Sequence, residues 1–397
     1  MVVEIDGFRA VNDSLGQEAG DALLYSVAER LTAELGSAEV VARLGGDEFA
    51  VLLEGIADLP QAMAIAERCR LSLCQPFHLA VGYVSISVCM GLAPYPDAGE
   101  TVDSLLTAAN AAMYRTKCLG LEEVSVFSAE LHAQSLENYR IEQRLRSALS
   151  ENEFHLVFQP QVSAHETGKI VGAEVLLRWT PRGEKPISPA VFIPLLERSG
   201  QIVEVGRWVL HEACVWRAKM LSAGAPLGRL SVNVSARQLE RPEFLQEVQG
   251  ICREFSLKEG ALELEITEAT LVRQATVAEA TIRELRTMGV RFSLDDFGTG
   301  FSSMNYLRDF PVDTLKVDQS FVRRLTGDAK SLVLATAIFD LGRGLGMETV
   351  AEGVETDAEL AVVCDLGADI IQGYLTGRPA APEAFLQTLL RSCVRAD

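Results

Sequence analysis

The sequence predicts an α/β chain: a mixed strand–helix domain followed by a closed (β/α)8 barrel in which one strand runs antiparallel. Three observations carry this. After Phe154, short apolar runs recur, most of the later ones separated by helical stretches, and eight such runs imply a parallel sheet closed on itself. Residues 163–168 alone join the first two runs, too few for a parallel crossover, so those two should form an antiparallel hairpin. Before that, to about Phe127, the order β-α-β-β-α-β-α-β indicates a mixed sheet with helices.

The elements follow in order. Val2–Asp6 reads as a strand, and residues 18–35 as an amphipathic helix with Leu23, Leu24, Val27 and Leu31 on one face. Residues 39–44 and 49–53 flank Gly45-Gly46-Asp47-Glu48, a hairpin signal. Residues 60–74 are helical, 84–92 a strand, 102–118 a helix and 124–127 a last strand. Residues 128–152 are polar and helix-forming, with Leu131, Leu136, Ile141, Leu145 and Leu149 near one stripe, and read as a solvated linker helix. Barrel strands are expected at 155–162, 169–179, 230–234, 261–267, 291–294, Thr314–Val317, 348–354 and 369–374. The expected domains are residues 1–128, a linker helix over 129–152, and 153–397.

Composition bounds the function. The 397 residues are 48% hydrophobic and 23% charged, a globular balance able to bury cores. A net charge of −19 argues against nonspecific nucleic-acid polymers and against anionic membrane surfaces. An anionic substrate would need local cations to overcome this field. The eight cysteines show no CxxC spacing and read as reduced core residues of a cytoplasmic protein. The five histidines show neither HxxxH nor HExxH spacing. A metal centre would therefore rest on oxygen ligands, which favours Mg2+ or Mn2+. No apolar run is long enough for a membrane span, and no signal peptide is evident. Because Met1-Val2-Val3-Glu4-Ile5-Asp6 already reads as a strand, the chain is expected to begin inside a domain.

In a barrel, chemistry gathers at the C-terminal ends of the strands. Glu174, Asn233, Glu265, Asp295, Asp296 and Glu352 lie in or near strands, as do Lys316 and Gln372. A buried carboxylate is costly unless paired or metal-bound. One such residue is explained by a salt bridge to the next strand; a whole ring at one face is not. The adjacent Asp295 and Asp296 repel each other unless a cation sits between them. Because neighbouring side chains diverge, the doublet can serve two adjacent sites. Two metals bridged by an Asp would clamp a phosphate for in-line attack. Lys316 would act as counter-charge or orient a water. These residues imply metal-dependent phosphoester hydrolysis and leave the substrate unnamed.

From about residue 145 to 390 the chain resembles the EAL domain, a family of cyclic di-GMP phosphodiesterases with a TIM-like barrel. The matching strings are Gln159-Pro160-Gln161, Glu174-Val175-Leu176-Leu177-Arg178-Trp179, Phe192-Ile193-Pro194, Asn233-Val234-Ser235, Glu265-Ile266-Thr267-Glu268, Asp295-Asp296-Phe297-Gly298-Thr299-Gly300, Leu315-Lys316-Val317-Asp318, Ala351-Glu352-Gly353-Val354 and Gln372-Gly373-Tyr374. Val175 stands where the family usually has Ala. The resemblance implies a two-metal hydrolase that opens cyclic di-GMP to linear pGpG. It implies one metal on Glu174, Asn233, Glu265 and Asp295, and the other on Asp295, Asp296 and Glu352, with Asp295 bridging. Lys316 would assist the nucleophilic water. Arg178 and Gln372 would contact the substrate or a metal-bound water, and Gln159 and Asp318 are further substrate-binding candidates. Glu268 and residues 297–303 match a loop that couples metal binding to dimer contacts, which implies a homodimer through the barrel.

The first segment resembles the GGDEF domain, the diguanylate cyclase family, an α+β nucleotide-cyclase-like sandwich. Asn12-Asp13, Gly20-Asp21, Arg43-Leu44-Gly45-Gly46-Asp47-Glu48-Phe49 and Tyr114-Arg115-Thr116-Lys117 carry the match. The resemblance implies a Gly-Gly turn that lets the backbone approach GTP, an acid after it on metal, guanine recognition by Asn12 and Asp21, and Lys117 in the same remnant site. Departures weaken it as a cyclase. The family's first metal Asp falls at Glu4, and its Arg and Asn after the lysine motif fall at Leu121 and Glu122. Its opening helix and Asp-x-Leu-Thr-Gly-Leu motif would precede Met1. Its Arg-x-x-Asp product site would fall at residues 36–39 and is missing. The expectation is a regulatory domain that binds GTP or dimerises.

The expected function is therefore cyclic di-GMP hydrolysis. Two other readings stand beside it. A non-catalytic cyclic di-GMP receptor would ordinarily lack ring residues. A bifunctional synthase-hydrolase rests on residues 45–49.

Overall fold

The computed structural model describes residues 1–35, 40–119, 124–166, 168–268, 270, 275–298, 310–325 and 327–394. The side chains of Arg115, Thr116, Lys117 and Asp296 lie outside the described residues. So do the expectations placed on 36–39, on Leu121 and Glu122, and on the loop beyond Gly298. The chain divides into two compact units, Met1–Ile141 and Glu142–Asp397. The helix Ala129–Ala148 crosses that division, so the expected linker helix contributes residues to both units.

In the first unit β1 (Val2–Asp6), β2 (Val40–Gly45), β3 (Glu48–Leu52), β6 (Ser87–Leu92) and β7 (Val124–Val126) form one sheet in the order β2-β3-β1-β6-β7. The period-2 alternation of β1 splits its side chains between two layers. Val3 and Ile5 join the core with Leu23, Leu24, Val27 and Leu31, the stripe expected on the helix Gln17–Leu35. Val2 joins a second cluster with Cys89, Ala109 and Met113.

Two local features depart from expectation. A helix, Phe8–Leu15, stands between Gly7 (φ 70°) and Gly16 (φ 87°), positive φ values that glycine adopts at least cost. The strand expected at 84–92 is two pieces. Its start belongs to a separate hairpin of β4 (Phe77–Leu79) and β5 (Gly82–Val84), and the rest is β6. Ile86, between them, stays buried. The alternation reports burial, and it carries on while the chain changes hydrogen-bonding partner.

The second unit is the closed barrel. Its strands are β8 (Phe154–Ser163), β9 (Ile170–Trp179), β10 (Arg229–Asn233), β11 (Leu262–Thr267), β12 (Arg291–Phe297), β13 (Thr314–Val317), β14 (Glu348–Ala351) and β15 (Ile370–Ile371). Neighbours from β9 to β15 are parallel, and β8 is antiparallel to both β9 and β15. The short connection dictates this hairpin, as expected. β8 therefore starts at the rim where the other strands end. There Glu153 accepts hydrogen bonds from Arg144 Nη2 (3.0 Å), Trp179 Nε1 (3.0 Å) and the Arg182 amide (2.7 Å).

β12 runs to Phe297, so the Asp295-Asp296 doublet lies inside the strand. Leu294 pairs with Leu315 and Phe297 with Val317, so two residues of β12 oppose the single Lys316 of β13. At this bulge Asp295 Oδ1 stands 3.1 Å from Lys316 Nζ. At the opposite end of the barrel, buried Glu263 accepts from Arg229 Nη1 (2.9 Å) and Thr314 Oγ1 (2.7 Å), and Arg291 Nη2 binds Glu348 Oε2 (2.8 Å).

Gly91 of β6 faces the helix Val102–Leu119, and an added Cβ would overlap the Ala109 carbonyl oxygen and the Met113 amide. Neither backbone group can move aside. Gly91→Ala is expected to destabilise the first unit by about 2–3 kcal/mol, read by urea unfolding. A midpoint equal to that of the parent chain would refute this packing.

Candidate active site

The strand register builds the site. Asn233 pairs with Glu265, Glu265 with Ser293, and Thr267 with Asp295, so alternate residues of β10, β11 and β12 point one way. Lys316 lies at the centre and is 1% exposed. Its Nζ stands 2.7 Å from Glu265 Oε2, 2.7 Å from Glu352 Oε1, 3.1 Å from Asp295 Oδ1 and 3.7 Å from Glu174 Oε2. Asn233 Nδ2 donates to Glu174 Oε1 at 2.8 Å.

Four carboxylates against one ammonium leave −3 when all are ionised. The groups respond to that excess. Burial, reinforced by the charge on Glu174, pushes Glu265 well above the usual carboxylate range. Burial also raises Glu352 to about 8, with Lys316 opposing the rise and Asp295 adding to it. For Glu174, burial is outweighed by the Lys316 ammonium and by amide donors from Gln372 and Asn233, so it stays low. Burial works against the charge on Lys316, but the surrounding carboxylates prevail and raise it well above an ordinary lysine.

The donor set fits a hard divalent cation. Glu265 Oε1 is buried without a hydrogen-bond partner, and so is Ser293 Oγ on the paired residue. Such a carboxylate oxygen in an all-oxygen ring is suited to Mg2+ or Mn2+. Among the described residues, no three acidic, imidazole or thiol groups are already closed into a metal cage; Lys316 holds the middle of the ring.

Three glutamines border the ring, with Gln159 directly opposite Glu174. Gln372 Nε2 donates to Glu174 Oε2 and, more weakly, to Gln159 Oε1 at 3.5 Å. Gln161 Nε2 donates to Gln372 Oε1 at 3.1 Å, and Gln159 Nε2 to the Gly377 carbonyl at 3.3 Å. On the rim, Arg178 is half-buried and donates to the Leu177 carbonyl at 2.9 Å. Burial lowers its guanidinium pKa, partly offset by Glu174 and Tyr374. Beside it opens a cavity of about 440 Å3, walled by Val175, Leu177, Ile193 and Val205 and reaching Asn233. Asp318 caps the helix Gln319–Val322 by accepting from the Ser320 amide at 2.9 Å. Glu268, one residue beyond β11, keeps Oε2 buried and without a hydrogen-bond partner.

In the first unit, Gly46 turns the β2–β3 hairpin at φ 55°, and Arg43 Nη2 clamps its carbonyl at 2.7 Å. Glu4 and Glu48 are direct partners across β1 and β3, two acids at one register. Gly20 lets the Asn12 side chain approach, since a Cβ there would overlap Asn12 Oδ1, and Asp21 beside it is exposed.

The EAL domain family model matches residues 142–379, and the model described as "Diguanylate cyclase, GGDEF domain" matches residues 1–123. This chain is a tandem GGDEF–EAL protein. It is 38% identical over 389 residues to a bifunctional diguanylate cyclase/cyclic di-GMP phosphodiesterase, MucR of Pseudomonas aeruginosa, covering 98% of this chain and 56% of the relative. It is 35% identical to the cyclic di-GMP phosphodiesterase NbdA of the same species, covering 99% of this chain and 50% of the relative. The chain thus spans about half the length of these curated relatives. Its barrel is similar to the solved MucR phosphodiesterase in complex with c-di-GMP, with a TM-score of 0.59 and 39% identity over 62% of this chain and 99% of that one. The EAL domain of Mycobacterium smegmatis DcpA gives 0.51 at 32% identity, over 60% and 96%.

The EAL barrel brings together Glu174, Asn233, Glu265, Asp295, Lys316 and Glu352, all expected in the ring. Gln159 and Gln372 lie beside Glu174, buried, and Asp318 serves a helix cap. Gln161 stands in the matching string Gln159-Pro160-Gln161, but the sequence assigned it no role. Its position two residues after Gln159 on a strand, hence on the same face, was the available signal.

Glu352 sets a pH dependence for the metal-free barrel. With its pKa near 8 in the folded state, above the ordinary carboxylate value, the native state binds the extra proton between the two. Stability should therefore fall as pH rises through that window, by up to about 1.4 kcal/mol per pH unit for one group. Glu265 acts in the same direction, while Glu174, held low, matters only in more acid solution. Urea midpoints in EDTA are expected to fall with rising pH, and excess Mg2+ to flatten the slope. Midpoints that climb with pH in EDTA would contradict this electrostatic picture.

Proposed function

We propose that the EAL barrel hydrolyses cyclic di-GMP to linear pGpG with two Mg2+ or Mn2+ ions. The observation that carries this is the ring of four carboxylates around Lys316. Glu174, Asn233, Glu265 and Asp295 would hold one ion, and Asp295, Asp296 and Glu352 the other. When bound, such ions supply charge neutralisation at the phosphate and acidify a water. The chain's own groups do the rest. Lys316 Nζ keeps the Glu265 and Glu352 carboxylates aimed inward and can donate a hydrogen bond to the attacking water. One water oxygen adds to phosphorus, the bond from phosphorus to the 3′ oxygen breaks, and that oxygen takes up a proton. Arg178 offers a cation to a phosphate at the rim. The neighbouring cavity has apolar walls and room for a purine base.

We assign the GGDEF domain a regulatory role through GTP, held by the Gly46 turn with Asn12, Asp21, Asp47 and Glu48. Glu4, Leu121 and Glu122 weigh against efficient synthesis. A bifunctional enzyme is the second reading, favoured by the intact turn and by the bifunctional relative MucR. The homodimer is assigned to the barrel, whose helix Ala329–Gly344 leaves Leu332, Val333 and Leu334 exposed.

Chromatography of cyclic di-GMP incubated with the purified chain and Mg2+ should show pGpG. Asp295→Ala should cut turnover at least about 100-fold, because one side chain serves both ions. Arg178→Ala should raise KM more than it lowers kcat. A parent chain as silent as Glu174→Ala would reject hydrolysis, and tight nucleotide binding without turnover would favour the receptor reading. With hydrolysis disabled by Glu352→Ala, GTP should remain unconverted under the regulatory assignment. Accumulation of cyclic di-GMP would establish the bifunctional enzyme instead.

A further inference from the structure

We infer that Gln161 is a positioning residue that fixes the orientation of Glu174 through Gln372. Gln161 is fully buried in β8 and directly opposite Gly172 of β9. Glycine makes room for it, since a Cβ on residue 172 would come within 2.8 Å of Gln161 Oε1. Gln161 Nε2 donates to Gln372 Oε1 at 3.1 Å, which uses the acceptor end of that amide. The donor end of Gln372 is thereby left facing Glu174 Oε2.

A glutamine amide can be turned end for end with almost no change of shape, so only its hydrogen-bond partners choose the direction. Turned, Gln372 would set its carbonyl oxygen against the Glu174 carboxylate. The Gln161 donor forbids that turn, because two N–H groups would then confront each other. Ser231 Oγ donates to Glu263 Oε2 at 2.9 Å and, more weakly, to Gln161 Oε1 at 3.5 Å, so the acceptor end of Gln161 faces Ser231 and its donor end faces Gln372. The donors therefore run in one direction, from Gln161 to Gln372 to Glu174. Among the described residues, the side chain of Gln161 hydrogen-bonds to Gln372 and Ser231 and to no carboxylate of the ring.

Its activity readout rests on the hydrolase reading; its binding readout does not. Gln161→Met keeps length and removes the donor, while Gln161→Glu offers acceptors alone. For Gln161→Met, half-saturation with Mn2+, followed by the paramagnetic resonance of the free ion, should need about tenfold more metal. In the same variant kcat should fall about tenfold, with KM for cyclic di-GMP changed by less than about twofold. Gln161→Glu should be weaker in both. A glutamine that only filled space would lower the melting temperature and leave Mn2+ affinity unmoved. Gln161→Met that binds Mn2+ and turns over within about twofold of the parent overturns the assignment. If Gln161→Glu does not fold, the Met variant decides. If the parent chain does not hydrolyse cyclic di-GMP, the hydrolase reading fails and the Mn2+ comparison alone decides Gln161.

Discussion

The architecture of the barrel turns on one buried ammonium surrounded by more negative charge than it can neutralise. Lys316 touches three carboxylates closely and a fourth at longer range. Much of what surrounds it serves this imbalance. The β12 bulge sets two residues opposite Lys316, Asn233 and Gln372 donate to Glu174, and two carboxyls rise in pKa. The excess is what makes a divalent cation welcome here.

The other end of the barrel solves a similar problem differently. Glu263 is as deeply buried as Glu265, yet Arg229 and Arg291 reach it and Thr314 donates to it. Arg229 and Arg291 also share Glu348, so the charges there are matched by fixed side chains. One end is electrostatically closed and the other is left short of positive charge. That asymmetry distinguishes the rim that carries the carboxylate ring from the rim whose charges are matched.

The ring was legible because carboxylates inside apolar strands are anomalous, and the anomaly repeats in Glu174, Glu265 and Asp295. The antiparallel hairpin was legible because chain length alone excludes a crossover. The bulge was not, since side-chain alternation does not encode hydrogen-bond register. Nor was the lower network, because charged residues such as Arg229, Arg291 and Glu348 are commonplace where strands begin. The resemblance implies that Gln372 contacts the substrate or a metal-bound water. Its hydrogen bond to Glu174 depends on how far each strand is staggered against the next, which no single segment reveals. The helix Phe8–Leu15 was announced only by its two glycines.

The reversed strand has a mechanical consequence. In an all-parallel barrel the chain would enter at the closed end, and a pull on it would reach the chemistry only through the full height of the wall. Here β8 enters at the rim that carries the ring, anchored by Arg144 and Glu153 to Trp179, the neighbour of Arg178 in β9. Five residues along β8, Gln159 lies opposite Glu174 itself. The short run from Glu153 to Gln159 thus ties the entry of the strand to Glu174 within a few residues, so a shift of β8 along its own axis would be felt at the ring before it reached the closed end.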